Sequence, residues 1–376
     1  MHGQIRWRRY AILSTILVAG LTFAACEPEP TTIPERLDDS TFWAMVTELS
    51  EPDGYFHSDN FVSNELGFQY VIDEMLSAAG GNAVYLGVGP DQNFTYIAAL
   101  RPRIAFIVDI RRQNLLQHLM YKALIEMSSD RADFLARLFS REWVTRPPSG
   151  LDAESLFTLL AALPRDSVLF QANLTSIFDR LTRERGFRLD SQDSASLQFV
   201  YEAFFNGGTS LTYSSNSVRG FNRGMPSYRM LMTATDAEGL NRSYMGSEEA
   251  FESLKDLQMR NLIVPVVGDF GGPSALRAVG NWVRNHHADV DVFYVSNVEQ
   301  YLFQQPRAWR QFYDNVSAMP LSRHGVFIRS VSNRGWRRNQ HPYARSSSVT
   351  SNIEEALARY RTGRLHSYSD VIDLSR

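Results

Sequence analysis

Ala83-Val84-Tyr85-Leu86-Gly87-Val88-Gly89-Pro90 is the stretch whose reading decides the fold. A short, continuous apolar run closes on two glycines and a proline, which reads as a strand buried on both faces and entering a tight turn. Residues 93–100 follow with helical character. Ile104-Ala105-Phe106-Ile107-Val108 then forms a second apolar run, ended by Asp109, and a long helix is expected over 112–127. Strand, glycine turn, helix, strand and acid make a βαβ unit. Parallel sheets, covered on both faces, require strands that are apolar throughout rather than alternating.

Working outward, residues 61–79 place Phe61, Leu66, Tyr70, Ile72, Met75, Leu76 and Ala79 at helical spacing before Gly80-Gly81, which predicts a helix with a glycine end. Downstream, YRMLMTAT (228–235) reads as a third strand and LIVPVV (262–267) as a fourth, with VDVFYV (290–295) as a fifth. Helices over 247–259 and 273–285 lie between them, the second opening on Pro273. This alternation predicts a doubly wound, mostly parallel Rossmann-like α/β sheet. Residues 128–227 differ in texture. Helical stretches at 131–140, 152–162, 173–185 and 192–205 read as an insertion and a candidate lid over the sheet's carboxyl edge. The expected organisation is a leader over 1–25, a spacer and lead-in helix over 26–50, the α/β domain over 51–333 and a tail over 334–376. In that tail a basic, aromatic loop (Arg334-Gly335-Trp336-Arg337-Arg338, Pro342-Tyr343-Ala344-Arg345-Ser346) precedes a short helix with a Ser351/Glu354 capping box.

Composition narrows the chemistry. With 376 residues, 44% hydrophobic and 21% charged, the chain has a globular profile. A net charge of −3 gives no basic field for nucleic acid, so no nucleic-acid partner is expected. Of 38 basic residues only Lys122 and Lys255 are lysines, leaving almost no candidate for Schiff-base chemistry. The single cysteine, Cys26, excludes an intramolecular disulfide and every cysteine-rich metal site. No H-x-x-x-H, G-x-S-x-G or P-loop pattern is present. His286-His287 are adjacent and point apart on a helix end, where they suit the helix dipole better than a metal.

The N-terminus reads as an address. Arg6, Arg8 and Arg9 precede a 15-residue apolar run over 11–25, shorter than the ~20 residues a spanning helix needs. Phe23-Ala24-Ala25-Cys26 resembles a bacterial lipoprotein processing site, which implies lipidation of Cys26 and a membrane-tethered, extracytoplasmic protein. Removing residues 1–25 takes away three arginines and shifts the charge from −3 to −6. Glu27-Pro28-Glu29-Pro30-Thr31-Thr32-Ile33-Pro34 is expected to be an extended, solvated spacer.

Candidate site residues gather at strand ends. Small residues at Gly87 and Gly89 let the next helix's amides approach a ligand, and an acid at Asp109 suits ribose hydroxyls. Asp236, Asp269, Asn297 and Glu299 follow the later strands, where open α/β sheets bind ligands. Asp269 and Asn297 equally suit helix caps. Glu65 is expected to project over the same crevice, although Asp59, Asn60 or Ser63 capping explains that polar cluster as well. Such a crevice suits a cationic ligand, a divalent metal or general-base work.

The combination resembles the class I S-adenosylmethionine-dependent methyltransferase fold, with its first motif at 84–90 and its ribose acid at Asp109. The similarity covers roughly 61–127 and 228–300, by topology more than identity. The segments YLGVGPDQNF, VGDFGGP and SNVEQYL resemble a subgroup of uncharacterised bacterial methyltransferase-like proteins. The resemblance implies S-adenosylmethionine as cofactor, held by Gly87, Gly89, Asp109, Asp236 and Asp269, with Asn297, Glu299 and Glu65 toward the substrate. Two positions depart from the pattern. Tyr85 stands where an acid is usual, and Asp91 where a small residue is usual.

Overall fold

Every residue of Val84–Gly87 (β1) and Ile104–Asp109 (β2) is buried, as strands covered on both faces must be. A computed structural model describes residues 32–214, 224–332 and 344–375 of the chain. In it β1 and β2 pair in parallel, Val84 opposite Ile104. Ile263–Val267 (β3) lies parallel to β2, and Val290–Ser296 (β4) parallel to β1 on its other side. Leu321–Ser332 (β5) continues parallel to β4, and Ser346–Asn352 (β6) closes the edge antiparallel. The order β3-β2-β1-β4-β5-β6 is that of a doubly wound, mostly parallel Rossmann-like sheet. Pro265, which lacks an N–H, sits in the edge strand β3, where one side of the backbone needs no partner.

The helices in chain order are α1 (Asp39–Glu48), α2 (Ile72–Ala78), α3 (Gln92–Leu100), α4 (Arg112–Met127), α5 (Arg131–Phe139), α6 (Ala153–Ala161), α7 (Ser167–Phe178), α8 (Ser191–Gly207), α9 (Tyr228–Thr233) and α10 (Glu248–Met259). They continue as α11 (Ala275–Asn285), α12 (Val298–Leu302), α13 (Ala308–Ser317), α14 (Ile353–Arg361) and α15 (Tyr368–Ile372). α4 is buried along nearly its whole length because the inserted helix α8 packs on its outer face. Inserted helices begin at short acidic or hydroxyl residues. Asp130, Asp152, Asp166, Asp190 and Ser227 each accept a first-turn backbone N–H, which fixes where α5 to α9 start. Among the described residues no helix is long and apolar enough to cross a membrane.

Several expectations are corrected. YRMLMTAT is not a strand but α9. Ser227 caps it, and Tyr228, Leu231 and Met232 are buried at helical spacing while Met230 is exposed. The third strand is therefore LIVPVV, and the insertion runs on into residues expected to belong to the sheet. Within 61–79 only Phe68–Val71 (a 3-10 turn) and α2 are helical. Residues 61–66 are irregular yet largely buried, so their apolar spacing reflects burial rather than a helix. The end of the spacer is docked, not solvated: the Thr32 N–H donates to the His286 carbonyl, and Ile33 is buried. α14 is capped by Asn352, which accepts from the Glu355 N–H, so Ser351 forms no capping box. α11 begins at Ala275 rather than at Pro273. His286 stacks on Trp282 at 3.8 Å. Cys26, the leader and residues 333–343 of the basic tail lie outside the described residues.

Candidate functional site

The turn after β1 is built around Asn93. Its Nδ2 donates to the carbonyls of Val88, Gly89 and Pro90 (2.9, 3.3 and 2.7 Å), and its Oδ1 accepts from the Tyr85 hydroxyl at 2.8 Å. A Cβ on Gly87 would lie 1.9 Å from Asn93 Oδ1, so the first glycine makes room for the asparagine. Gly89 adopts φ +79°, a conformation that favours glycine. His118 donates from Nε2 to the Gly89 carbonyl (2.9 Å), and burial pushes its imidazole down to about 4, so it serves as a neutral donor. Tyr85, at the position expected for an acid, thus braces the turn from beneath. Asp91 turns away to the Tyr244 hydroxyl (2.9 Å).

A crevice of about 270 Å³ opens at the carboxyl ends of β1 to β4, where the sheet's winding reverses between β1 and β4. This is the place at which open α/β sheets take ligands. Gly89, Asp109, Asp269, Asn297 and Glu65 all line it, whereas Gly87 lies just beneath. Apolar wall is supplied by Val88, Val108, Ile110, Phe270 and Leu302.

Each predicted carboxylate meets a different environment. Asp109 is nearly buried, and both its oxygens accept from Arg111: Oδ1 from Nε and from the backbone N–H, Oδ2 from NH2, all near 3.0 Å. Arg111 in turn donates to the Ser58 and Asp59 carbonyls. Asp269 is half-buried. Its Oδ1 accepts from the Gly271 N–H (2.9 Å), and burial, aided by nearby Glu51, raises its carboxyl above the usual range. It does not cap α11. That task falls to Glu51, whose Oε2 accepts from the Ser274 and Ala275 N–H groups. Asn297 occupies the position before α12 without a side-chain cap bond, leaving it to the crevice.

Glu65 lies at the crevice wall, almost wholly buried. Its Oε1 accepts from the Tyr294 hydroxyl (2.8 Å) and the Ser296 hydroxyl (2.5 Å), and its Oε2 from Gln92 Nε2 (3.1 Å) and the Ser348 hydroxyl (3.5 Å). Ser296 adopts φ +50°, unusual for a residue with a Cβ, at the very end of β4. Burial raises the Glu65 carboxyl above its ordinary range despite these donors.

Besides Gly87, two predicted residues do not reach the crevice. Asp236 does not follow a strand, since α9 replaces the expected one. Its carboxylate instead closes a turn, accepting from the Glu238 and Leu240 N–H groups and from Arg242 Nε. Glu299 points inward from α12 to a fully buried ion pair with Arg329 (2.5 Å), joined by the Tyr313 hydroxyl. Of the expected lid, Tyr213 alone reaches the crevice among the described residues. The cover comes instead from the segment 51–59. The Glu51 N–H bonds the Val267 carbonyl and the Gly54 N–H the Ile110 carbonyl, which carries the segment across the ends of β2 and β3. Phe56 and His57 from this segment meet Tyr301 at 5.3 and 6.1 Å, forming an aromatic rim.

Sequence reasoning missed Asn93, His118, Arg111 and the 51–59 segment. Arg111 carried a signal, standing two residues past a strand-end acid, but its partner was legible only in space. Among the described residues no group of three or more His, Cys, Asp or Glu side chains converges as metal ligands.

None of the curated proteins compared with the chain matches it. A family model described as a domain of unknown function, DUF7790, matches residues 60–146 and 152–373, a span that holds all six strands and the crevice residues from Asn60 onward. The match extends over well more than half of the chain, which therefore belongs to the DUF7790 family.

Proposed function

We propose that the protein is an exported, lipid-anchored member of its family whose crevice binds a nucleoside-type ligand of the S-adenosylmethionine class. One observation carries the reading. Gly89, Asp109, Asp269 and Asn297, from the ends of four successive sheet strands, line a single crevice at the point where the sheet's winding reverses. There a glycine turn, hydroxyl- and amine-accepting side chains and an apolar wall fit a base and sugar. The leader supports the location. Arginines, an apolar run and Cys26 form the lipoprotein pattern.

A second reading is favoured by Asp109. Both its oxygens are engaged by Arg111, and Tyr85 is spent on Asn93, so the two positions most tied to the cofactor serve the scaffold in this state. S-adenosylmethionine is also a cytoplasmic metabolite, out of supply to an exported enzyme. On this reading the crevice is a binding module that has kept the ligand site without transfer chemistry.

A thermal-shift series with S-adenosylmethionine, S-adenosylhomocysteine and adenosine nucleotides tests both. Ligand at a hundredfold excess over its Kd stabilises by about 2.7 kcal/mol, a rise of several degrees in Tm. Stabilisation by S-adenosylhomocysteine that Asp109→Ala removes supports the cofactor site. Stabilisation by other nucleosides alone supports the module, and none by any of them contradicts the nucleoside reading.

A further inference from the structure

Among the described residues the Glu65 carboxyl has no positive partner, which it shares with Asp91 and Asp269 but with few other buried acids. The chain is rich in arginine and spends it on buried acids. Asp109 has Arg111, Asp193 has Arg112, Glu126 has Lys122 and Arg185, Asp236 has Arg242, and Glu299 has Arg329. Glu65, 2% exposed, has only neutral hydrogen-bond donors among the described residues: Tyr294, Ser296, Gln92, Ser348 and Ser330. The other titratable groups around it are the phenols of Tyr85, Tyr96, Tyr294 and Tyr368. Burying a carboxylate without a counter-ion is costly and raises its affinity for a proton, here against the pull of its hydrogen-bond donors.

The hydrogen-bond network leaves room for that proton. Gln92 Nε2 can only donate and faces Oε2, while its Oε1 is held by the Ser63 hydroxyl. A proton on Oε1 turns the Tyr294 or Ser296 hydroxyl from donor to acceptor, and one on Oε2 does the same to the Ser348 hydroxyl while Gln92 still donates. The network accommodates either state by rotating a hydroxyl. Glu65 lines the open crevice, whose rim carries Phe56, His57 and Tyr301.

We propose that Glu65 is the counter-ion for a positively charged group of the crevice ligand, and that it releases a proton to solvent when that group enters. The inference rests on the crevice being the ligand site. It restricts the ligand to one bearing an ammonium, sulfonium or similar cation within reach of β4's end.

The test is calorimetric titration of the full chain at mildly acidic pH, in two buffers of different ionisation enthalpy. 5′-Amino-5′-deoxyadenosine is compared with adenosine, which has the same shape without the charge. The amine binds about tenfold more tightly and releases close to one proton per site, and Glu65→Gln equalises the two nucleosides and abolishes the release. Equal affinities in the wild type, or release that persists in Glu65→Gln, overturn the proposal. Should the variant fail to fold, a preference for the amine and a proton release that persist in Asp269→Asn support Glu65, and their loss there overturns the proposal, because Asp269 is the other crevice carboxyl raised by burial. If neither nucleoside binds, the nucleoside reading fails and infrared difference spectroscopy on the wild type decides the rest. A protonated-carboxyl band that methylammonium removes supports the role of Glu65. No such band, or one that methylammonium leaves unchanged, overturns it.

Discussion

Asp91, past the turn after β1, and Asp109, at the end of β2, are both nearly buried acids, and they differ in what reaches them. Arg111 clamps Asp109 in an ion pair at 3.0 Å. Asp91 meets only the Tyr244 hydroxyl and its tyrosine neighbours, and burial pushes it up to about 7. An acid whose folded pKa is raised binds its proton more tightly folded than unfolded. Its contribution to stability is therefore present at low pH and lost as pH rises from about 4 to about 7. Between pH 5 and pH 8 this amounts to about 2–3 kcal/mol. Asp91→Asn, which keeps the shape and cannot ionise, should lose that much less stability over the same interval. Urea denaturation of both proteins at the two pH values checks this; parallel losses would show that Asp91 is ionised in the fold throughout.

At the scale of elements, the glycine turn is held by side chains as much as by its own backbone. The two glycines do different work, and substitution should separate them. Gly89→Ala places a side chain in open space at φ +79° and costs about 1–2 kcal/mol, the left-handed penalty alone. Gly87→Ala drives a methyl into Asn93 and the Tyr85 ring, releasing the three carbonyls Asn93 holds, and should cost clearly more. Denaturant midpoints of the two variants measure the difference, and equal costs would contradict the role given to Asn93. This turn also shows which elements the sequence makes legible. β1, β2, α3 and α4 fall within a residue or two of their expected bounds, because continuous apolar runs between Gly, Pro and Asp are local signals. α9 was not legible as a helix, since a short apolar run suits a buried strand as well as a helix and only its packing decides. β6 was hidden by composition. Ser346–Asn352 has a single apolar residue, Val349, and is a strand because β5 offers it hydrogen bonds. The site divides in the same way. Asp269 and Asn297 were legible as strand-end residues. The pairing of Glu65 with Tyr294, 229 positions away, exists only once the sheet is assembled.

For the molecule as a whole, fold and address pull in different directions. On the proposed reading the crevice takes a ligand of the kind cytoplasmic enzymes use, while the leader is an export signal ending at Cys26. Expressed in bacteria with a clickable fatty acid, the full chain should take up label that Cys26→Ser abolishes. An unlabelled wild-type protein would end the lipoprotein reading. The central claim, that the crevice is a nucleoside site, is tested most directly by calorimetric titration of S-adenosylhomocysteine into the wild type and Asp269→Ala. Asp269 is half-buried, with one backbone bond to Gly271, so its truncation should leave the fold standing. The account predicts saturable binding at one site per chain, lost in Asp269→Ala; absent binding, or binding the substitution leaves unchanged, would contradict it.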